Sequence, residues 1–550
     1  MSDAIVVGAR PNGLIAANLL ADHGWSVLVL EEQDEPGGAV KSGELTVAGH
    51  VHDLFSAFYP FAAASQVIGG LDLEEHGLRW AHAESVVAHP REDGRCAVLS
   101  RDLDRTAASL DAYAPGDGDA WRRLFKIWEK AGEPLVEALH TPFPPIRPAA
   151  AMARALASAG TARFMRMASS SVRRLAEETF IGESGADLLA GNALHADLTP
   201  DAAAGGLFGW MLCSLGQQVG YPVVSGGAGN LTAALVHRLR SRGGGVACGE
   251  RVAHIVVRGS RAVAVRTFDG TEHPARHAVL ADTGAPQLYR SLIDSEHLPD
   301  GLLVDLGRFQ YDNSTIKVDW ALREPIPWTA DAARGAGTVH VAEGINELAS
   351  TSEQLVSRLI PARPSLIMGQ YATADPGRSP EGADTAWAYT HVPQQVRGDA
   401  GGNLTGTWDE REIEQFADRV EERVERLAPG FRGRSLGATY SVRASSRQRT
   451  RTSSGERSTA GRRKLTSSWS SARHPGISDG RRLQSAVSIL RPPRRIPAAA
   501  YMVAPERTRR GPRSRTGAPV AQPSVSAASP RRRRCDGSRV EVWLRRPEGI

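Results

Sequence analysis

The apolar residues near the N-terminus predict a strand, a helix and a second strand. Four apolar residues at 4–7 predict a short buried strand that ends at Gly8. The segment 14–21 is rich in helix-forming residues, and the apolar run 25–30 predicts a second buried strand that ends at Glu31. Because a helix joins the two strands, the pattern predicts a parallel pair in an α/β sheet.

Downstream, the pattern changes from helical to alternating. Residues 104–215 show mainly helical spacing. Within them, 207–215 is strongly apolar but far shorter than a membrane span, so we expect a core helix. The wall of an apolar substrate tunnel and a shallow membrane-dipping face are the alternatives. Alternation then predicts strands of an antiparallel sheet at 315–322, 337–341, 365–371 and 387–393. An amphipathic helix is predicted at 408–427, with an apolar stripe formed by Ile413, Phe416, Val420, Val424 and Leu427.

The turn after the first strand reads Gly8-Ala9-Arg10-Pro11-Asn12-Gly13. Glycines at its two ends permit a tight turn and close packing, and the helix that begins there presents amide donors to an anion. Arg10 stands where the dinucleotide-binding fingerprint GxGxxG has its middle glycine. Taken alone, the turn fits an α/β unit without a ligand about as well as it fits a nucleotide site.

Two further features favour the nucleotide site. Glu31 ends the second strand at the place where an acidic residue accepts hydrogen bonds from a ribose. The doublet Gly37-Gly38 follows it, and glycines allow the backbone to pass close to a ligand.

Together these motifs resemble the phytoene desaturase (carotenoid desaturase-like) family of FAD-dependent oxidoreductases, which are flavoproteins with two dinucleotide-binding domains. Arg10 departs from the family pattern. In this family, a segment such as 225–281 returns the chain to the FAD domain, and the residue matching Val252 contacts the adenine through its backbone. The resemblance implies that FAD is held by Gly8, Arg10, Pro11, Asn12, Gly13, Glu31, Glu32, Gly37, Gly38, Ser42 and Val252.

The resemblance also implies a fold and a division of the chain. The fold is a Rossmann-like α/β FAD domain joined to a substrate domain of helices and an antiparallel sheet. The segments are FAD-binding parts at 1–70 and 221–290, a helical substrate region at 71–220, an antiparallel-sheet substrate region at 291–400, an FAD-domain helix at 401–434 and a tail at 435–550.

The implied reaction is dehydrogenation or isomerisation of a small apolar, isoprenoid-like substrate by hydride transfer to N5 of the flavin. Flavin chemistry does not require an acid or base from the protein, so no catalytic residue is predicted. His195, His340 and His391 are the ionisable residues to examine near a pocket. A single histidine is more often structural than catalytic.

Composition excludes several classes of protein. Hydrophobic residues at 41% and charged residues at 23% are typical of a globular protein, not of a collagen or a multi-span membrane protein. The four cysteines lack metal-binding spacing, so neither a metal site nor a disulfide framework is predicted. The N-terminus has no signal-peptide pattern, so we expect a cytoplasmic protein, with peripheral membrane contact as an alternative.

The net charge of +5 is the sum of an acidic part and a basic part of the chain. Residues 1–434 carry 40 basic and 55 acidic residues, or −15, whereas 435–550 carry 26 basic and six acidic residues, or +20. Such a tail, with the run Arg531–Arg534, is typical of proteins that bind nucleic acid or another anionic surface.

A different origin of the tail is a shifted reading frame. Codon degeneracy permits family-like motifs in one alternative frame, in family order, at 449–456, 465–473, 486–490 and 495–503. We therefore hypothesise a one-base frameshift near 434–445. The expected consequences are a disordered tail, no nucleic-acid partner and weak or absent FAD binding. An inactive product of the shifted gene is the remaining alternative.

Overall fold

The computed structural model describes residues 1–55, 57–141, 144–157, 160–444, 447–454 and 486–490. The segments 455–485 and 491–550 lie outside the described residues. Most of the predicted disordered tail therefore falls outside them, as do the motifs at 465–473 and 495–503 and the run Arg531–Arg534.

The first sheet contains the predicted N-terminal α/β unit. Ser2–Val7 pairs in parallel with Val27–Leu30 on one side and with Glu272–Thr283 on the other. Helix Pro11–Asp22 joins the first two strands, as predicted. The strand order in the described chain is Val252–Arg258, Arg261–Thr267, Glu272–Thr283, Ser2–Val7, Val27–Leu30 and Gly245–Ala247, and Ala486–Leu490 pairs antiparallel with Glu272–Thr283.

The second sheet has eight strands in the part of the chain that the structure describes. Their order is Arg447–Ser454, Ser435–Ala444, Ser314–Leu322, Asp384–Val392, Leu366–Gln370, Ala336–Val341, Ser85–Pro90 and Cys96–Leu99. The four predicted strands lie at its centre. Two strands, Ser85–Pro90 and Cys96–Leu99, fall inside the segment 71–220 that was assigned to a helical region. The sequence did not indicate the first of them, because the short run Ser85–Pro90 is buried on both faces and lacks an alternating pattern.

Strand pairing also continues past residue 434, where the sequence predicted the tail to begin. Ser435–Ala444 pairs antiparallel with residues 315–322. The pattern that permits this is an alternation of apolar residues at Leu436, Ala438, Tyr440 and Val442, of which Ala438 and Tyr440 pack in the core of the second sheet. The Arg- and Ser-rich composition that follows conceals this alternation.

The helices cover the two sheets and form a separate layer. Their bounds are Pro11–Asp22, Pro60–Ala63, Gln66–Gly69, Leu103–Asp111, Asp117–His140, Ile146–Ala157, Thr161–Ser169, Val172–Thr179, Ser184–Leu194, Gly205–Val219, Gly229–Ser241, Ala285–Gln287, Asp300–Gly307, Ile345–Val356, Glu410–Leu427 and Phe431–Arg434. Short two-stranded ribbons pair Ser42–Gly43 with His52–Asp53, Trp80–Ala81 with Val223–Val224, and Leu359–Ile360 with Gly398–Asp399. The predicted mixed α/β fold with a helical and antiparallel-sheet region is confirmed.

Two helices show how the sequence specifies the packing. Glu410–Leu427 begins at Asp409, whose side chain accepts a hydrogen bond from the amide of Glu412, and its predicted apolar stripe is buried against the second sheet. Gly205–Val219 is buried along most of its length, with Trp210 and Cys213 inaccessible to solvent, so it is the predicted core helix. None of the helices among the described residues is long and apolar enough to cross a membrane.

Candidate functional site

In the predicted glycine turn, neighbouring backbone segments lie very close to one another. Gly8 has a φ of +97°, and a Cβ there would lie 2.7 Å from the carbonyl oxygen of Asp282. A Cβ on Gly13 would lie 2.5 Å from the carbonyl oxygen of Gly8. Both positions therefore require glycine, as the sequence predicted. Pro11 occupies the first position of the helix and is buried, and Asn12 beside it is half-buried.

The Gly37-Gly38 doublet packs against this same turn. Gly37 has a φ of +115°, and its amide donates to the carbonyl of Ala9 across 2.8 Å. Gly38 has a φ of +58°, and a Cβ there would lie 2.6 Å from Cγ of Arg10. The aliphatic part of the Arg10 side chain thus lies directly over Gly38. The absence of a side chain at Gly38 therefore leaves room for the Arg10 side chain.

Glu31 contacts the glycine turn through its carboxylate. Its Oε2 accepts from the amide of Ala9 at 2.7 Å, and its Oε1 accepts from the amide of Gln33 at 3.0 Å. The neighbouring Glu32 is half-buried and lies 3.4 Å from Nε of Arg251. Burial raises the pKa of Glu32 against the opposing effect of Arg251. Val252 begins the adjacent strand and is buried in an apolar cluster with strand residues of the first sheet.

Ser42 lies apart from the first turn, at a second glycine-rich turn. Its hydroxyl donates to Oδ1 of Asp53 across 2.7 Å and accepts from the amide of Gly229 at 3.0 Å. Asp53 also accepts from the amide of Ala228 at 2.7 Å. A Cβ on Gly227 would lie 2.5 Å from the Ser42 hydroxyl. Ser42 therefore fastens the segment after the glycine doublet to the start of helix Gly229–Ser241.

A buried ionic cluster joins this second turn to the antiparallel sheet. Arg378 is inaccessible to solvent, and its guanidinium contacts Oδ2 of Asp53 at 2.8 Å, Oδ2 of Asp375 at 3.0 Å and the carbonyl of Val224 at 2.6 Å. Asp375 in turn accepts from the amide of Gly226 at 2.6 Å. The sequence analysis missed this cluster, because its members are far apart in the chain and belong to no local motif.

A lysine and an aspartate occupy the sheet face next to the cluster. Lys317 donates to the carbonyl of Asp53 at 2.9 Å and forms a buried ion pair with Asp319. Burial alone would raise the pKa of Asp319, but Lys317 and His52 hold that pKa below its ordinary value. The predicted strand 315–322 already indicated this ion pair. Residues two apart on a strand share a face, and Lys317 and Asp319 carry opposite charges.

The same sheet face leads from this ion pair to the helical region. Lys317, Tyr389, Ile367 and His340 lie opposite one another on four neighbouring strands. At strand spacing, this row is about 14 Å long. Trp387 stacks on Tyr389 with ring centroids 5.9 Å apart, and its indole N–H has no hydrogen-bond partner among the described residues. The face is therefore mainly aromatic and aliphatic, with polar groups at its two ends.

The histidines singled out from the sequence gather at the far end of this row. Nε2 of His195 lies 2.9 Å from Nε2 of His340, and Nε2 of His391 lies 3.1 Å from Oδ1 of Asp197. Burial, with a contribution from His391, lowers the pKa of His195 to about 4. Burial likewise lowers the pKa of His340 well below its ordinary value. The His195–His340 pair is therefore neutral at pH 7 and shares one N–H···N hydrogen bond.

The residues present match the pattern of a dinucleotide-binding turn. The first turn and the glycine doublet together form a glycine cradle, in which a Cβ at Gly8, Gly13 or Gly37 would collide with Asp282, Gly8, Val40 or Thr232. The helix that starts at Pro11 offers its amide end to a pyrophosphate. In the described part of the chain, no group of three or more His, Cys, Asp or Glu side chains could hold a metal ion.

Comparison with known proteins identifies the family and the fold. The family model of flavin containing amine oxidoreductases matches residues 12–434. The pyridine nucleotide-disulfide oxidoreductase domain-containing protein 2 of Rattus norvegicus is 23% identical over 476 residues, covering 79% of this chain and 80% of the relative. The phytoene desaturase (neurosporene-forming) of Rhodobacter capsulatus is 22% identical over 445 residues, covering 78% and 79%. The crystal structure of an oxidoreductase from Methanosarcina mazei has a similar fold, with a TM-score of 0.50 and 16% identity over 78% of this chain and 85% of that one.

Proposed function

The chain belongs to the flavin containing amine oxidoreductases, a family of FAD-dependent oxidoreductases, and from this premise we propose that it is a desaturase-like dehydrogenase of a small apolar, isoprenoid-like substrate. The observation that carries the proposal is the apolar sheet face that runs from the FAD-domain contact at Lys317 toward His340. The similarity to a phytoene desaturase over 78% of the chain supports it.

The proposed roles of the residues follow from their positions. Gly8, Pro11, Asn12, Gly13, Gly37 and Gly38 would hold the pyrophosphate and the backbone around it, Glu31 the ribose, and Val252 the adenine. Arg10 and Glu32 would line the entrance, and Ser42 would hold the adjoining segment in place. Bound FAD would supply the hydride acceptor at N5. The protein's own contribution is to position an apolar substrate on the Trp387–Tyr389 face and to exclude water from it.

A flavin-reduction test distinguishes an apolar substrate from an amine substrate. The chain with its reading frame restored is loaded with FAD, and the visible flavin absorbance is followed without oxygen. Phytoene in detergent micelles should bleach the flavin, whereas a primary amine such as putrescine should not. Bleaching by the amine alone would contradict the desaturase proposal and leave the family assignment intact.

The frameshift hypothesis belongs to the same proposal. The family match ends at residue 434, where the charge of the chain changes from acidic to basic. This agreement supports a change of reading frame near residues 434–445. The test compares flavin absorbance of this chain with that of a chain whose frame is restored after residue 444, so that the strand Ser435–Ala444 is retained. We expect stoichiometric flavin only in the restored chain, and stoichiometric flavin in the present chain would refute the hypothesis.

A further inference from the structure

Asp282 lies beneath the glycine turn and contacts it directly. It stands at the end of the strand Glu272–Thr283, next to Ser2–Val7 in the sheet, and is 1% exposed. Its Oδ2 accepts a hydrogen bond from the amide of Gly13 across 2.7 Å. A Cβ on Gly13 would lie 2.9 Å from the same oxygen, so the carboxylate is held against the start of the helix.

This carboxylate serves as the missing cap of helix Pro11–Asp22. Arg10 occupies the N-cap position but makes no side-chain cap hydrogen bond, and the first turn contains no acidic residue. A helix N-terminus carries about half a positive charge and attracts anions. Asp282 supplies a negative charge there from a distant part of the chain.

The same helix end is where a dinucleotide places its pyrophosphate. A second amide of the turn, that of Ala9, is bonded to the carboxylate of Glu31. Two amides of the turn are thus held by internal carboxylates. Glu31 can exchange this bond for a ribose hydroxyl, but Asp282 is fixed in the sheet and stays beside the turn.

We propose that Asp282 is an affinity-determining residue of the FAD site, which weakens cofactor binding by competing with the pyrophosphate for the N-terminus of helix Pro11–Asp22. The proposal rests on the proposed placement of FAD in this cradle. Two like charges at one helix end repel each other, and the repulsion is strong where burial excludes water. Removing the charge of Asp282 while keeping a cap should therefore tighten phosphate binding.

The experiment measures ADP and adenosine binding to the full chain by isothermal titration calorimetry. ADP carries the pyrophosphate and adenosine does not, and neither requires a wall around the flavin ring. The variants are Asp282→Asn and Asp282→Ser, because both side chains can still accept from an amide at a helix start. The matched control is Asp305→Asn, which removes the same charge at an exposed site.

Both Asp282 variants should bind ADP about tenfold more tightly than the unmodified chain, whereas adenosine affinity stays unchanged. The control should leave both affinities unchanged. A variant that is folded by far-ultraviolet circular dichroism and binds ADP within twofold of the unmodified chain would overturn the proposal. If adenosine and ADP bind to none of the four chains, the nucleotide site itself fails, and the proposed function fails with it.

Discussion

The guanidinium of Arg378 contacts the carboxylate of Asp53 across 2.8 Å, and neither residue is accessible to solvent. Asp53 belongs to the segment after the glycine doublet, and Arg378 follows a strand of the antiparallel sheet. Asp53 also accepts from Ser42 and from the amide of Ala228. This pair therefore fixes the second glycine turn against the sheet that carries the proposed substrate face.

Replacing Arg378 should destabilise the fold strongly. Arg378→Met leaves Asp53 and Asp375 buried without their cation, and such a loss costs about 3–5 kcal/mol. Arg378→Lys should cost less, because it keeps the charge but not the three directions of the guanidinium. Urea unfolding measures the difference. The control is Arg411→Met on an exposed helix face, and an Arg378→Met variant as stable as this control would contradict the prediction.

The structural features that depend on local sequence pattern were predicted. The strand 315–322, the apolar stripe from Ile413 to Leu427 and the requirement for glycine at positions 8 and 13 all follow from spacing or backbone freedom. The contacts between distant buried charges were not predictable in this way. Asp53 and Arg378 are 325 residues apart, and Gly13 and Asp282 are 269 apart.

Two of the features that were missed could have been predicted from the sequence. The carboxyl ends of parallel strands meet at one edge of a sheet, so Asp282, near the end of an apolar run, could have been placed near Glu31. The alternation through Ala438 and Tyr440 could have placed a strand beyond 434. In the second case the Arg- and Ser-rich composition of the tail outweighed the pattern.

Asp384 should make stability fall as the pH rises. Burial raises its pKa from 3.8 to about 6, against the amides of Ala372 and Thr385 that lower it. Between these pH values the folded chain binds more protons than the unfolded chain, so stability is lost as the pH rises through about 6. Asp384→Asn removes this loss and should raise stability at pH 7 by roughly 2–3 kcal/mol. Thermal unfolding at pH 7 checks this value, and an Asp384→Asn variant no more stable than Asp305→Asn would refute it.

The His195–His340 pair should have the opposite pH dependence. Because the pKa of His195 is about 4 in the folded chain and 6.5 as its ordinary value, the unfolded chain binds more protons between them. The contribution of this pair to the free energy of unfolding is therefore fully present above pH 6.5, and it is lost as the pH falls toward 4.

Between pH 4 and 6, Asp384 offsets part of this loss, because its contribution to the free energy of unfolding changes with pH in the opposite direction. The measurement is therefore urea unfolding in the Asp384→Asn background. Replacing both histidines by glutamine in that background should flatten the slope, whereas replacing the exposed His297 should not. An unchanged slope in the double glutamine chain would rule out the pair as its source.

The strand Ser435–Ala444 should be required for stability although it lies beyond the family match. It pairs along Ser314–Leu322, buries Ala438 and Tyr440, and Thr439 donates to the carbonyl of Leu45 at 2.6 Å. A chain that ends at residue 434 would leave the strand that carries Lys317 as an open edge, and open edges promote aggregation. We expect it to melt at a lower temperature and to aggregate more than a chain that ends at residue 454. Equal melting temperatures and equal light scattering would show that this strand does not contribute to the fold, and that the folded unit ends where the acidic part of the sequence does.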